Sequence, residues 1–282
     1  MRIVVADHWI RRLLVPHEVD GEASVGHRRK VFKGRPWSRP RRFLSLNLTP
    51  RPTKVLFLLR LMRDGLWDKG FVTFGGFDRM AGRKGRTREE LLRDALAERG
   101  FEDLAEELGP LLPALDAMGK VVLGPGSEAL SSVDLALDLH LFEYDQSWFS
   151  VVTETEMRNR PLRITEKALK PLLNYHPMLV LGNPGSLRLL REMGFRTFGQ
   201  WIDESYDEEP DPRRRFEMVY REVQRLCALE EFELKRMEKA ATETLAHNVE
   251  WGLERLPRLH AERLDPALVD QILGASEPAS AP

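Results

Sequence analysis

Four short apolar runs, in two pairs each spaced by a helix-length interval, constrain this chain more than anything else in it. FLSLN (43–47), GFVTFGG (70–76), WFSVVTET (148–155) and PMLVLG (177–182) are of strand length, and WFSVVTET is rich in aromatic and β-branched residues. The first pair is joined through VLFLLRLMRDG, apolar at helical spacing, and the second pair through a helix opening at Thr165. Strand, helix, strand is a β-α-β unit with parallel strands and a right-handed crossover. Two such units predict an α/β fold with a Rossmann-like parallel sheet over residues 42–210. Thr87 followed by Glu90 predicts a capping box opening a helical region at 87–118. Residues 211–273 predict C-terminal helices, with one or two long surface helices over 213–256, and 274–282 a disordered tail.

Composition then removes several classes of function. The chain has 282 residues, 42% of them hydrophobic, enough for a sizeable core. Lys plus Arg (43) almost cancels Asp plus Glu (44), so no global field favours nucleic acid or anionic membrane. A single cysteine, Cys227, allows no internal disulfide, and no Cys/His spacing suits structural zinc. No apolar run approaches the roughly 20 residues of a membrane span, and MRIVVADHWIRRLLVP is too charged for a signal peptide. A cytoplasmic protein, peripheral to the inner face of the membrane if its substrate is membrane-bound, fits these features. Residues 21–42 read as a loop or linker, in which HRRKVFKGRPWSRPRR (27–42) is either a solvated basic stretch or a contact for nucleic acid.

Parallel strands deliver the loops that follow them to one edge of the sheet, where open α/β folds bind ligands. After FLSLN come Asn47, Arg51 and Lys54; after WFSVVTET come Thr165, Glu166 and Lys167, with Glu154 at the strand end; after PMLVLG comes the tight loop Gly182, Asn183, Pro184, Gly185, Ser186. Amides at a helix start hold anions, lysine and arginine meet phosphate, and a carboxylate accepts from ribose hydroxyls. Thr-Glu is also ordinary helix-start chemistry, and a glycine loop also serves as a bare strand-to-helix turn. The acidic run DESYDEEPD (203–211) lacks the glycine turn of a calcium loop and reads as a solvated turn; no metal is expected. His176 and His247 read as structural.

FLSLNLTPRPTKVLFLLRLMRDGL, followed by FSVVTET and then ITEK, resembles the donor-binding C-terminal domain of GT-B glycosyltransferases, most closely the α-1,3-fucosyltransferase-type group. The run from Phe149 to Asp207 is also similar to uncharacterised bacterial and phage glycosyltransferase-like proteins. The resemblance implies a nucleotide-sugar donor, a glycan or glycolipid acceptor of surface polysaccharide or lipopolysaccharide synthesis, and no separate cofactor. By it, Glu166 contacts ribose, Lys167 the diphosphate, and Arg51 or Lys54 the leaving group. Arg163 replaces an aromatic residue of the family pattern, so guanine or fucose specificity does not carry over. Residues 1–41 form only a reduced N-terminal segment where the family has a full acceptor domain. The catalytic base is therefore sought in Glu154 or in Asp7, with His8, His17 and Glu18 as further candidates. Two alternatives stand beside this reading: a phage-type nucleic-acid-modifying glycosyltransferase, and a non-catalytic nucleotide-binding scaffold.

Overall fold

The computed structural model describes residues 24–78, 85–124, 141–155, 157–158, 162 and 164–257. Strands β1 (Phe43–Ser45), β2 (Gly70–Val72), β3 (Phe149–Thr153) and β4 (Met178–Leu181) form one sheet in the order β2-β1-β3-β4, every pair parallel. These are the four apolar runs, trimmed at their ends. Nearly every strand residue is buried, as a sheet covered on both faces requires.

In chain order the helices are α1 (Val25–Lys33), α2 (Pro52–Arg63), α3 (Arg88–Arg93), α4 (Glu102–Leu108), α5 (Leu112–Ala117), α6 (Leu141–Asp145), α7 (Glu166–Leu173), α8 (Ser186–Glu192), α9 (Pro212–Ala228), α10 (Glu231–Ala240) and α11 (Thr242–Glu250). The β1–α2–β2 and β3–α7–β4 crossovers step outward in opposite directions from the centre, which puts α2 and α7 on opposite faces. α4 and α9 join α2: Phe57 and Phe216 meet Tyr220, Phe101 meets Phe216, and the Tyr220 hydroxyl donates to Arg60 O at 3.0 Å. α11 packs against both α7 and α1. The capping box at Thr87 and Glu90 is present. Between 213 and 256, three helices and a short π-helical turn (Trp251–Arg255) stand where one or two long helices were expected, because Leu229 and Ala241 break the run. Among the described residues, no helix is long and apolar enough to cross a membrane.

The segment read as a basic linker is instead helical over Val25–Lys33, capped by Ser24, whose hydroxyl accepts from His27 N at 3.1 Å. Much of its charge is structural. Arg28 donates to Asn174 Oδ1 (2.8 Å), Arg35 to Asp145 and to the carbonyls of Asn174 and Tyr175, and Arg39 to Ser147 O and Glu238 while stacking on Trp148. These arginines bind the chain leading into β1 to the segments that precede β3 and β4.

Candidate functional site

Strand order reverses between β1 and β3, and the carboxyl end of such a switch point is where open α/β sheets bind ligands. The edge is braced by Asn47. Its amide oxygen accepts from the Thr153 hydroxyl, its amide nitrogen donates to Ser45 Oγ (2.9 Å), its backbone N–H donates to Thr73 Oγ1 (2.6 Å), and its carbonyl accepts from Gly75 N (3.1 Å). One side chain and its peptide groups thus hold the ends of β1, β2 and β3 in register. Asn47 is a brace in this structure, where the sequence suggested a ligand donor. The loops after β1 and β2 close tightly: a Cβ on Gly75 would lie 1.7 Å from Leu48 O, so only glycine fits.

The loop after β3 is fixed by Glu154. One carboxylate oxygen accepts from Thr165 N (3.1 Å) and the other from Thr165 Oγ1 (2.8 Å), with Lys167 Nζ at 3.7 Å. Thr165 in turn caps α7 and accepts from Lys167 Nζ at 3.1 Å. Both oxygens of Glu154 accept hydrogen bonds from Thr165, which sets its carboxylate beside Lys167 at the start of α7. Glu166 is different: its carboxylate's one ion pair within 4.0 Å among the described residues is with Lys167 Nζ, at 3.8 Å.

The third loop corrects an expectation. Gly182, Asn183, Gly185 and Ser186 form the tight turn into α8, with Gly185 left-handed at φ 81° as N-cap. However, the amides that would cradle an external anion are taken by Asp207, 4% exposed, which accepts from Leu187 N (2.8 Å) and Arg188 N (2.9 Å). Its own carbonyl accepts from Gly185 N at 2.7 Å, and Ser186 Oγ donates to Asn183 O. The acidic run read as a solvated turn supplies this internal anion. Asp207→Ala is expected to cost about 2 kcal/mol in chemical denaturation, and inorganic phosphate should then stabilise the variant by more than it stabilises the wild type. Equal phosphate effects on both proteins would refute the substitution of carboxylate for external anion.

The start of α2 is left open. Its N-cap, Arg51, makes no side-chain cap, Pro52 follows it, and the N–H groups of Thr53 and Lys54 have no acceptor among the described residues. Lys54, 2% exposed, has no ion pair within 4.0 Å among the described residues. Burial pushes its ammonium well below the usual lysine range; Lys167 and Arg51 push the same way, and Glu154 and Glu166 oppose them. Three cations and two carboxylates therefore meet across the switch point, next to a helix start with no internal anion. Free amides at a helix start and flanking cations are groups that attract anions in general.

Of the sequence-derived residues, the structure brings Arg51, Lys54, Glu154, Thr165, Glu166 and Lys167 together, and sets Gly182, Asn183, Gly185 and Ser186 in a neighbouring turn where Asp207 takes the amides of Gly185, Leu187 and Arg188. Asp7, His8, His17 and Glu18 lie outside the described residues. His176 is buried, with Nε2 2.9 Å from Ser147 O and Nδ1 2.8 Å from Ser150 Oγ; burial keeps its pKa well below the usual histidine value, so the ring is a neutral structural link. His247 likewise holds Gly194 O, at 2.9 Å. Asp207 and Arg215 were missed by sequence reasoning. Arg215 joins Gly182 O (2.9 Å), Glu209 O and Met157 O behind the edge. No family model, curated protein or solved structure matches the chain at a significant level.

Proposed function

We propose that the chain is a nucleotide-sugar-dependent glycosyltransferase whose donor diphosphate binds at the open start of α2. The reading rests on one observation: Lys54, Arg51 and Lys167 converge on an uncapped helix N-terminus at the switch point of a parallel sheet. In transfer, an acceptor hydroxyl oxygen attacks the anomeric carbon. The bond from that carbon to the diphosphate breaks, its electron pair passes to the diphosphate oxygen, and the acceptor proton leaves to a base. The charge that develops on the diphosphate is met by Lys54, Lys167, Arg51 and the amides of Thr53 and Lys54, groups fixed before the reaction begins. Glu166, with one ion pair within 4.0 Å among the described residues, is assigned to the ribose hydroxyls. With both Glu154 oxygens engaged, the base is sought first among Asp7, His8, His17 and Glu18. The acceptor is a glycan or glycolipid reached from the cytoplasmic side.

The engagement of both Glu154 oxygens favours one second reading, a nucleotide-binding protein without transferase activity. Thermal shifts with GDP-, UDP-, CMP- and dTDP-sugars separate the two. A ligand at about 100 times its Kd adds about 2.7 kcal/mol, or roughly 5–10 °C in Tm for a domain of this size. One nucleotide class should produce that shift, and Glu166→Ala or Lys167→Ala should remove it while leaving the unliganded Tm within a few degrees. No shift with any nucleotide rejects both readings. A shift without transfer or donor hydrolysis selects the second.

A further inference from the structure

The cluster at the carboxyl edge leaves unused a basic and aromatic surface at the other end of the sheet. A groove of about 410 Å³ runs between the chain leaving α1 and the helices α10 and α11. Two of the most exposed large hydrophobic side chains of the described residues stand in it, Trp37 at 68% and Phe232 at 60%. Four cations line it, Lys33, Lys235, Arg236 and Lys239, and Lys235 Nζ lies 5.7 Å from the centre of the Trp37 ring.

The acidic groups nearby each have partners within the chain. Glu238 accepts from Arg39 Nη2 (2.6 Å) and Lys235 Nζ (3.2 Å), Glu233 from Glu230 N (2.9 Å), and Glu231 from Ser38 Oγ (3.1 Å). Lys33, Arg236 and Lys239 have no carboxylate within 4.0 Å among the described residues. With four cations and one carboxylate, Glu238, along its walls, the groove is net positive, with ring faces open to solvent.

We propose that this groove binds single-stranded nucleic acid, its bases stacking on Trp37 and Phe232 and its phosphates pairing with Lys33, Arg236 and Lys239. Stacking rings combined with cations along a channel match a chain in which bases alternate with phosphates. An acidic peptide would use the cations and leave both rings without partners. A bilayer surface favours protruding aromatics over rings lining a concavity. Arg35 and Arg39 tie the groove's wall to the segments preceding β4 and β3, which sets it at the amino edge of the sheet. A strand docked there is separated from the Lys54 cluster by the length of β3, roughly 15 Å, so this is a second site and does not depend on the donor-site reading.

The test is fluorescence anisotropy with a labelled oligo-dT of about 15 nucleotides, titrated with the full chain at several salt concentrations. Binding should weaken as salt rises. Trp37→Ala should lower affinity about 10- to 100-fold, with Trp37→Phe restoring most of it. The triple variant Lys33→Ala, Arg236→Ala, Lys239→Ala should flatten the slope of log K against log salt by about 0.7 per cation removed. These side chains are exposed or carry no internal ion pair, and unchanged melting of each variant verifies the fold. The proposal fails if the oligonucleotide does not bind at low salt, or if the variants bind it as the wild type does. It also fails if phosphatidylserine vesicles or an oligoglutamate peptide bind with higher affinity and the same dependence on Trp37.

Discussion

Lys54→Met is expected to make the unliganded protein more stable by about 1–2 kcal/mol and to abolish its response to nucleotides. Lysine at this position carries a charge into a buried place with no ion pair within 4.0 Å among the described residues, and two further cations lie close by. Methionine has a similar length and no charge to desolvate. The pH dependence gives the sign independently. The folded-state pKa of Lys54 is depressed, so between that value and the unfolded value of about 10.4 the unfolded chain binds more protons. The cost of Lys54 is fully present below the folded pKa and fades as pH rises toward the unfolded one. Denaturation of wild type and variant, measured from neutral to alkaline pH, should therefore show the stability gap narrowing with pH. A destabilised methionine variant would mean that Lys54 is a structural tie, and the donor site would lose its central cation.

Arg215→Met should have the largest effect in the opposite direction, a loss of roughly 3 kcal/mol, or about 6–12 °C in Tm. This guanidinium is 1% exposed and donates to Gly182 O, Glu209 O and Met157 O, with Pro210 O at 3.3 Å. Burial pushes its pKa down to about 10, against the raising effect of Asp211, Glu209 and Asp207, so it stays charged at neutral pH. Its removal strands several carbonyls at once behind the loops after β3 and β4. Lysine should recover little, since one ammonium cannot span carbonyls that a planar fork reaches. A Tm within a degree or two of wild type would show that water replaces the fork.

The sheet was legible because parallel buried strands advertise themselves as short apolar runs and helices separate them. Their assembly at one edge followed from topology, and this is why Lys54, Glu154 and Lys167, more than 100 residues apart at the extremes, could be grouped from sequence. What each group does at that edge was less legible. Asn47 and Glu154 carry the polar atoms of ligand donors, yet their capacity is spent on Thr153, Thr73 and Thr165, partners that only the folded chain supplies. Asp207 sits in an acidic run that resembles any solvated turn, and nothing local indicates that it returns to cap a helix 20 residues earlier. Arg213, Arg214 and Arg215 are adjacent and chemically identical; only the helical phase set by Phe216 and Val219 turns the third inward. The basic stretch misled for the same reason, since Arg28, Arg35 and Arg39 are buried against carbonyls more than 100 residues distant. The Ser24 cap was the one available sign that it contained a helix.

Among the three helix starts at the carboxyl edge, α7 is capped by Thr165, α8 by Asp207, and α2 by no side chain. The crystal structure of a complex with whichever nucleoside diphosphate gives the largest thermal shift is the most direct test of that distinction. The account predicts diphosphate oxygens within hydrogen-bond distance of the Thr53 and Lys54 amides, with Lys54 and Lys167 on opposite sides of the ligand. A diphosphate at the start of α8 with Asp207 displaced, or one away from the β1–β3 switch point altogether, would contradict it.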